Sequence, residues 1–413
     1  MQLRRTSNGE LLSFSQGAVL GAGGEARIFG VVEPATMAVK IHHRPTLERA
    51  EKLRAMIANP PDDPMSDSGH VSIAWPTDLL TPVDNTTKVV GFLMPRVRGM
   101  SPIIDFYHPK TRRQKYPLFS YRYLLRTARN LAACLSALHA RGYVVGDLNE
   151  SNILVGETAM VTLVDTGSFQ VPDLKNNRFF RCRVGKPEFT PPELQNVGFG
   201  MIDRKPEHDL FALSVLIFQL LMEGTHPFAG RHVGFGEPPP LEERIASGQF
   251  PHLPSPGSRC LPMPTAPRFD FLPPAVRVLF TRCFVEGRAL PSIRPEARQW
   301  QLALEEAEQS LLSCSANEQH RYSNHLSSCP WCQRKRLLGG LDPFPSRESL
   351  KHTRPSRIRS RAGSRCGRDL LNQRITFSHV TIWKDRETWP VWVWAGALML
   401  NLLFFIYVYF SAS

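Results

Sequence analysis

The sequence predicts an α+β protein: a small β-rich lobe, a larger α-rich lobe, a short cysteine-histidine knuckle and one long apolar C-terminal helix. Three observations carry this. Short apolar runs broken by turn residues fill positions 11–97, the pattern of strands. After residue 115 the apolar positions recur at helical spacing. Residues 389–410 then run without a charge for about 22 positions, enough to cross a ~30 Å hydrocarbon core. The length of 413 residues exceeds what one core usually serves, so more than one domain is expected. With 42% apolar and 21% charged residues the chain is neither wholly disordered nor collagen-like, and eight cysteines are too sparse for a disulfide scaffold.

Within the first lobe, Gly21-Ala22-Gly23-Gly24 separates two apolar runs, and Met37-Ala38-Val39-Lys40-Ile41 has the pattern of a buried strand. Asp84-Asn85 divides 79–83 from 88–94 and predicts a hairpin. A helix is expected over 46–57, stopping before Asn59-Pro60-Pro61. In the second lobe Ser120 is the expected N-cap of a helix whose apolar face is Leu124, Ala128, Leu131, Leu135 and Leu138. The helix expected over 209–222 is apolar on nearly every side and belongs at the centre of its lobe. Further helices are expected at 274–284 and 295–312, with proline-rich surface loops at 237–240 and 251–267.

Charge is unevenly spread. The net charge is +13, and residues 333–388, with 14 basic and 5 acidic side chains, carry +9 of it. Rich in Arg, Ser and Gly, residues 337–388 predict a flexible linker, not the folded basic face of a nucleic-acid-binding protein, and nucleic acid is not expected as a partner. Trp389, Trp392 and Trp394 at one end of the apolar segment, with Tyr407 and Tyr409 at the other, suit the aromatic belts of a membrane helix. Basic residues flanking a span stay cytoplasmic, and the N-terminus has no apolar run of signal-peptide length. The expectation is a single-pass membrane protein, anchored through 389–410, with its body in the cytoplasm.

Four signals that carry chemistry follow one another through the two lobes. Gly21 to Ile28 (GAGGEARI) is a glycine-rich loop between strands, where backbone N–H groups can approach phosphate oxygens. An ordinary hairpin turn is the competing reading. Lys40 sits inside an apolar strand and needs an anionic partner, either Glu48 or Glu51 on the following helix or a phosphate. In Val145-Gly146-Asp147-Leu148-Asn149-Glu150-Ser151-Asn152, polar residues cluster between apolar strands. In Val164-Asp165-Thr166-Gly167 an Asp ends a strand before a glycine. An Asp carboxylate and an Asn carbonyl are hard oxygen ligands suited to Mg2+ on a polyphosphate, although each could serve only an Asx-turn.

Taken in order, GAGGEARI, MAVK, VGDLNESN, DTG and PPE resemble the eukaryotic-like protein kinase family over residues 14–312. Asp209 opens the central apolar helix as the family's Asp does, and Arg294 stands where the family's late Arg pairs with the Glu of the PPE motif, here Glu193. GDLNESNILV, DTGSFQ, GKPEFTPPELQ and CPWC resemble a divergent bacterial subgroup of kinase-like proteins. The resemblance implies a bilobal kinase-like fold, with an N-lobe over 14–97 and a C-lobe over 98–312. It implies ATP and Mg2+ as cofactors and protein Ser/Thr hydroxyls as substrates. Gly21, Ala22, Gly23, Gly24, Ala26 and Ile28 would cover the ATP phosphates, and Lys40 would hold them while paired to Glu51 (or Glu48). Met94 to Val97 would be the hinge meeting the adenine. Asp147 would take the proton of the attacking hydroxyl, and Asn152 and Asp165 would bind Mg2+. The departures are Ala26 for the third loop glycine, Val145 and Gly146 for His-Arg, Asn149 for the following lysine, and Thr166 for the Phe of D-F-G. An activation-loop phosphate would lack its usual arginine, and a cation beside the transferred phosphoryl is missing. These departures leave open the alternative of a pseudokinase, a nucleotide-binding scaffold held at the membrane.

Past the last helix, residues 313–336 supply Cys314, His320, Cys329 and Cys332, a ligand set for tetrahedral structural Zn2+, with His325 as the alternative nitrogen ligand. The competing chemistry, a C-x-x-C redox pair, would need a thioredoxin-like strand and helix that the sequence lacks.

Overall fold

The structure, a computed structural model, describes residues 1–254 and 258–352. Six strands form an N-terminal closed barrel: β1 (Gln2–Arg5), β2 (Leu11–Ala22), β3 (Ala26–Val31), β4 (Met37–His42), β5 (Asp78–Thr81) and β6 (Gly91–Pro95). Their order is β1-β2-β3-β4-β6-β5, and β1 returns to pair with β5. Alternate side chains point inward, so Leu3, Leu12, Phe14, Phe29, Val31, Val39, Leu80 and Leu93 fill the barrel. The expected hairpin is β5–β6, with Leu80 opposite Gly91. The barrel starts at Gln2, upstream of the expected lobe start at 14. Asp78 fixes its closure, accepting from Arg5 Nε at 2.8 Å, Thr6 Oγ1 at 3.2 Å and Ser7 N at 3.3 Å.

Between β4 and β5 lies α1 (Leu47–Ala58), whose N-cap Thr46 accepts from the Arg49 backbone N–H at 3.2 Å. It buries Ala50, Leu53 and Met56, spaced three apart on one face. The second lobe adds β7 (Ser101–Pro102), α2 (Tyr121–Ala140), β8 (Ile153–Val155), β9 (Val161–Leu163), the hairpin β10 (Val171–Asp173) and β11 (Arg178–Phe180), α3 (Pro206–Leu221) and α4 (Ala297–Gln309). From Asp209 to Leu221 every residue of α3 is buried, as an all-round apolar helix requires. Glu308 on α4 is buried against Arg122 and Arg126 of α2, which locks the two helices together.

The helix expected over 295–312 ends earlier. Leu311 already belongs to a hairpin of β12 (Leu311–Cys314) and β13 (Asn317–Ser323), followed by α5 (Pro330–Leu337). This module is packed onto the α-rich lobe. Trp331 lies 4.7 Å from the Tyr121 ring and 4.8 Å from that of Phe344, and the Arg112 guanidinium sits 4.5 Å above Phe344. Arg334 is buried in an ion pair with Glu223 and donates to Thr265 O at 2.7 Å. Phe344, inside the stretch predicted as linker, is thus part of the core, and the described residues fall within one compact unit, Met1–Arg354.

The membrane-spanning part of the predicted fold class is corrected. Among the described residues no helix is long and apolar enough to cross a membrane. The most apolar helix, α3, has 16 residues, about 24 Å at 1.5 Å per residue, and the 20 residues of α2 include Arg122, Arg126 and Arg129. The segment 389–410 lies outside the described residues. The single-pass anchor, and the cytoplasmic placement inferred from it, are therefore not retained, and the fold class stands as α+β with a β-rich N-terminal lobe.

Candidate functional site

The glycine-rich segment forms the β2–β3 turn. Gly21 pairs with Ile28, Ala22 with Arg27, and Gly23 N donates to Ala26 O at 3.0 Å. His43 Nε2 lies 3.1 Å from Gly23 O, and Glu25 pairs with Arg49 of α1 at 3.1 Å, so both ends of the turn are tied down. No side chain would obstruct a Cβ at Gly23, which leaves the tip open toward a ligand. Lys40 on β4 stands opposite Ile28 on one side and Phe92 on the other. Its Nζ is ion-paired with Asp165 Oδ1, across from the other lobe. Met94 pairs with Ala38 at the end of β6, and Val97 follows where the chain leaves the barrel; both are half-buried.

Neither helix carboxylate meets Lys40. Glu51 lies 3.6 Å from Arg178, and Glu48 lies 3.3 Å from Arg183. The burial of Ala50, Leu53 and Met56 sets the rotation of α1, and that rotation turns both glutamates toward the arginines that follow β10. In their place Lys52 has Asp165, Glu25 and Lys40 among its electrostatic neighbours, and burial pulls its ammonium down to about 8.

The loop carrying Asp147 is held from beneath by Asp209, buried at the start of α3. Asp209 Oδ2 accepts from Val145 N at 2.7 Å and Oδ1 from Gly146 N at 2.8 Å, while His139 Nε2 lies 3.1 Å away. Above it, Asn149 Nδ2 donates to Asp147 Oδ1 at 2.8 Å, and Asn152 Nδ2 donates to Asp147 O at 2.9 Å and Oδ2 at 3.3 Å. With its amide nitrogen so committed, Asn152 has its carbonyl oxygen to offer a cation. Burial pushes the Asp147 carboxyl up to about 6 against the Asn149 hydrogen bond, and the Asp165 charge pushes the same way as burial. Asp165 holds a left-handed backbone, φ 58°, uncommon for a non-glycine residue and frequent at functional sites. Thr166 is buried and donates to Ala74 O at 2.9 Å, so a hydrogen bond anchors the segment where the family has an aromatic plug. Further along, Arg294 grips Glu193 with two bonds of 2.6 and 2.7 Å.

The cysteines and histidine of the C-terminal module converge. The ligand atoms of Cys314, His320, Cys329 and Cys332 all lie within 4.8 Å of one another. Cys314 Sγ is 3.6 Å from Cys332 Sγ, and His320 Nδ1 is 3.5 Å from both Cys329 Sγ and Cys332 Sγ. Zn–S bonds of about 2.3 Å and Zn–N of about 2.05 Å in a tetrahedron require S···S of about 3.8 Å and N···S of about 3.5 Å, so the donor set fits Zn2+. His320 Nε2 is 2.8 Å from Asp342 Oδ1, which leaves Nδ1 as the ligating nitrogen. His325 is turned away, with Nε2 3.0 Å from Asp270 O.

No protein-family model matches the chain. Protein kinase YegI of Escherichia coli strain K12 is 35% identical over 329 residues, covering 79% of this chain and 49% of the relative. The protein of the same name from Escherichia coli O157:H7 matches with the same identity and coverage. Over these residues the chain is similar to a divergent bacterial protein-kinase-like family. It spans about half the length of these relatives. Serine/threonine-protein kinase kin-29 of Caenorhabditis briggsae is 35% identical over 106 residues, 25% of this chain and 12% of that protein.

Four residues of this kinase-like chain escape sequence reasoning. Lys186 Nζ donates to Glu150 Oε1 and Ser151 Oγ, each at 2.8 Å, and its charge acts on Asp147. It thus brings a cation to the loop in which Asn149 replaces a lysine. Lys52 stands directly after Glu51, and no local pattern marks it. Arg204 and Asp342 lie in stretches without any local pattern, and only the fold brings them to the Asp147 loop and to His320.

Proposed function

We propose that the chain transfers the γ-phosphoryl group of ATP to Ser or Thr hydroxyls of protein substrates. One observation supports this above the others: Lys40 pairs with Asp165, the adjacent Val164 N donates to Asn152 O at 2.9 Å, and the Asn152 side chain holds Asp147, so three separate stretches of sequence are linked at one site. In the reaction the substrate hydroxyl oxygen bonds to the γ-phosphorus, the bond to the β–γ bridging oxygen breaks, and ADP departs. Asp147 accepts the hydroxyl proton, held in place through Asp209 below and Asn149 and Asn152 above. Lys40 provides a cation to the phosphates at the inner end of the site. Asn152 and Asp165 would hold Mg2+, which when bound neutralises charge on the phosphates. The Ser/Thr choice draws on the names of the less similar relatives, among them kin-29. The Zn2+ module would be structural, since four protein ligands leave no position for a reacting water.

One observation favours the second reading, a nucleotide-binding scaffold: the α1 glutamates pair with Arg183 and Arg178 and not with Lys40. The full-length protein with Mg-ATP and a protein acceptor, assayed beside Asp147→Ala, separates the two readings. Phosphorylated Ser or Thr from the wild type, reduced about 10²–10⁴-fold in the variant, supports the kinase reading. ATP bound by both forms with no transfer by either supports the scaffold.

A further inference from the structure

Gly146, the residue before Asp147, is gripped at both of its backbone groups. Asp209 accepts from its N–H at 2.8 Å, and its carbonyl accepts from Arg204 Nη1. The second arm of the same guanidinium, Nη2, donates to Val184 O at 2.6 Å. Arg204 therefore links the catalytic loop directly to the segment that follows Asp165. It is buried, and its guanidinium lies 3.9 Å from the centre of the Phe199 ring. Its backbone is held as well: Gln170 Oε1 accepts from Arg204 N at 2.7 Å, and Gln170 Nε2 donates to Arg204 O at 2.8 Å. Gln170 in turn pairs with Val144, so the stretches around 145, 170, 184 and 204 form one hydrogen-bonded block.

Two glycines make room for this arginine. Gly146 has φ 72°, and a Cβ there would stand 2.8 Å from Cys182 Cβ and 3.3 Å from Arg204 Nη1. A Cβ on Gly185 would stand 2.8 Å from the Phe199 ring and 3.0 Å from Arg204 Nη2. A large side chain at 146 is excluded by the same contacts that seat Arg204. The sequence adds an independent observation: from Phe169 to Phe189 there is no Ser, Thr or Tyr. Of the flanking hydroxyls, Ser168 is half-buried and donates to Asp165 O at 2.8 Å, while Thr166 and Thr190 are buried and donate to Ala74 O at 2.9 Å and Lys186 O at 2.8 Å. No side chain within 169–189 can take a phosphate on a hydroxyl, and the bridge that such a phosphate could provide is already made by Arg204.

We propose that Arg204 is a positioning residue that holds Asp147 and the 169–189 segment in register without phosphorylation of that segment. The consequence for activity rests on the phosphoryl-transfer reading above; the structural claim does not. The test uses the full chain before and after treatment with a protein phosphatase, beside Arg204→Ala, Arg204→Lys and the exposed control Arg298→Ala. Hydrogen exchange and steady-state kinetics are both read. The wild type should show equal amide protection at 144–148 and 182–186 before and after phosphatase, and equal turnover. Arg204→Ala should lose protection in both stretches. Its kcat should fall by at least about tenfold, with the KM for ATP changed less than about twofold, because the group acts on the geometry of Asp147 and not on nucleotide binding. Arg204→Lys, whose ammonium cannot span both carbonyls, should lose protection in one stretch and keep global stability, which settles the matter if Arg204→Ala fails to fold. Arg298→Ala should match the wild type. Wild-type protection at Arg204→Ala and Arg204→Lys, or protection in the wild type that disappears with phosphatase, overturns the proposal. A wild type that transfers no phosphoryl group would defeat the kinase reading alone, and the exchange data would still decide the role of Arg204.

Discussion

At the residue scale, the central quantity is the protonation of Asp147. A base must be ionised to accept a proton, and burial holds this carboxyl near 6, so turnover should rise with pH through an acidic limb around that value. Three neighbours oppose the upward shift: Asn149 through its 2.8 Å hydrogen bond, and Arg204 and Lys186 through their charges. Asn149→Ala and Lys186→Ala should each move the acidic limb to higher pH. Lys186→Ala should also lower kcat at saturating pH, on the order of 10-fold, if this cation acts on the transferred group. A pH–rate profile of each variant checks both statements, and an unmoved limb in both would remove Asp147 as the titrating base. Lys40, Asp147, Asn152 and Asp165 were legible in the sequence because each sits at a fixed offset within a short motif. Lys186 was not, because its nearness to Glu150 depends on a return of the chain over 36 residues.

At the element scale, the limits of legibility have physical causes. The sequence placed α1 within one residue at each end, from Thr46 as cap and the prolines beyond Asn59. It could not give the rotation of the helix about its axis, which docking of Ala50, Leu53 and Met56 decides, and with it whether Glu48 and Glu51 meet Lys40 or, as found, Arg183 and Arg178. β1 was missed because a four-residue strand with one buried side chain, Leu3, has too little pattern to stand out until β5 pairs with it. The knuckle was legible through the spacing of its cysteines, but Asp342 behind His320 was not. That carboxylate should matter: Asp342→Ala should weaken Zn2+ affinity by about 10–100-fold, and Cys332→Ser should abolish stoichiometric binding. Competition with a chromogenic chelator measures both, and unchanged affinity in Asp342→Ala would show that the 2.8 Å contact does not orient the ligand.

At the scale of the whole molecule, lobes and knuckle share one body. Trp331 joins Tyr121 and Phe344, so Trp331→Ala should cost about 3–5 kcal/mol and lower the melting temperature of the C-lobe together with the knuckle. Acid should also weaken the fold. Burial pulls His42, His226 and His252 down to about 4. Between that value and about 6.5 the unfolded chain binds protons that these rings do not, so stability rises with pH there and is lost on acidification. Burial pulls His208 down as well, and Asp147, pushed up to about 6, acts in the opposite sense to these four rings. His252, whose Nε2 has no hydrogen-bond partner among the described residues and which packs 5.3 Å from Phe218, isolates the effect. His252→Phe should narrow the difference in melting temperature between pH 7.5 and pH 5 (scanning calorimetry), and an unchanged difference would exclude that ring as a cause. The phosphoryl-transfer reading rests on Asp165, which reaches across from the larger lobe to Lys40 and whose charge acts on Asp147. Its most direct test is transfer of labelled γ-phosphoryl from Mg-ATP to protein by the full chain, compared with Asp165→Ala. The account predicts Mg2+-dependent labelling of Ser or Thr by the wild type and its loss in the variant, with the fold intact; equal labelling by both forms would contradict it.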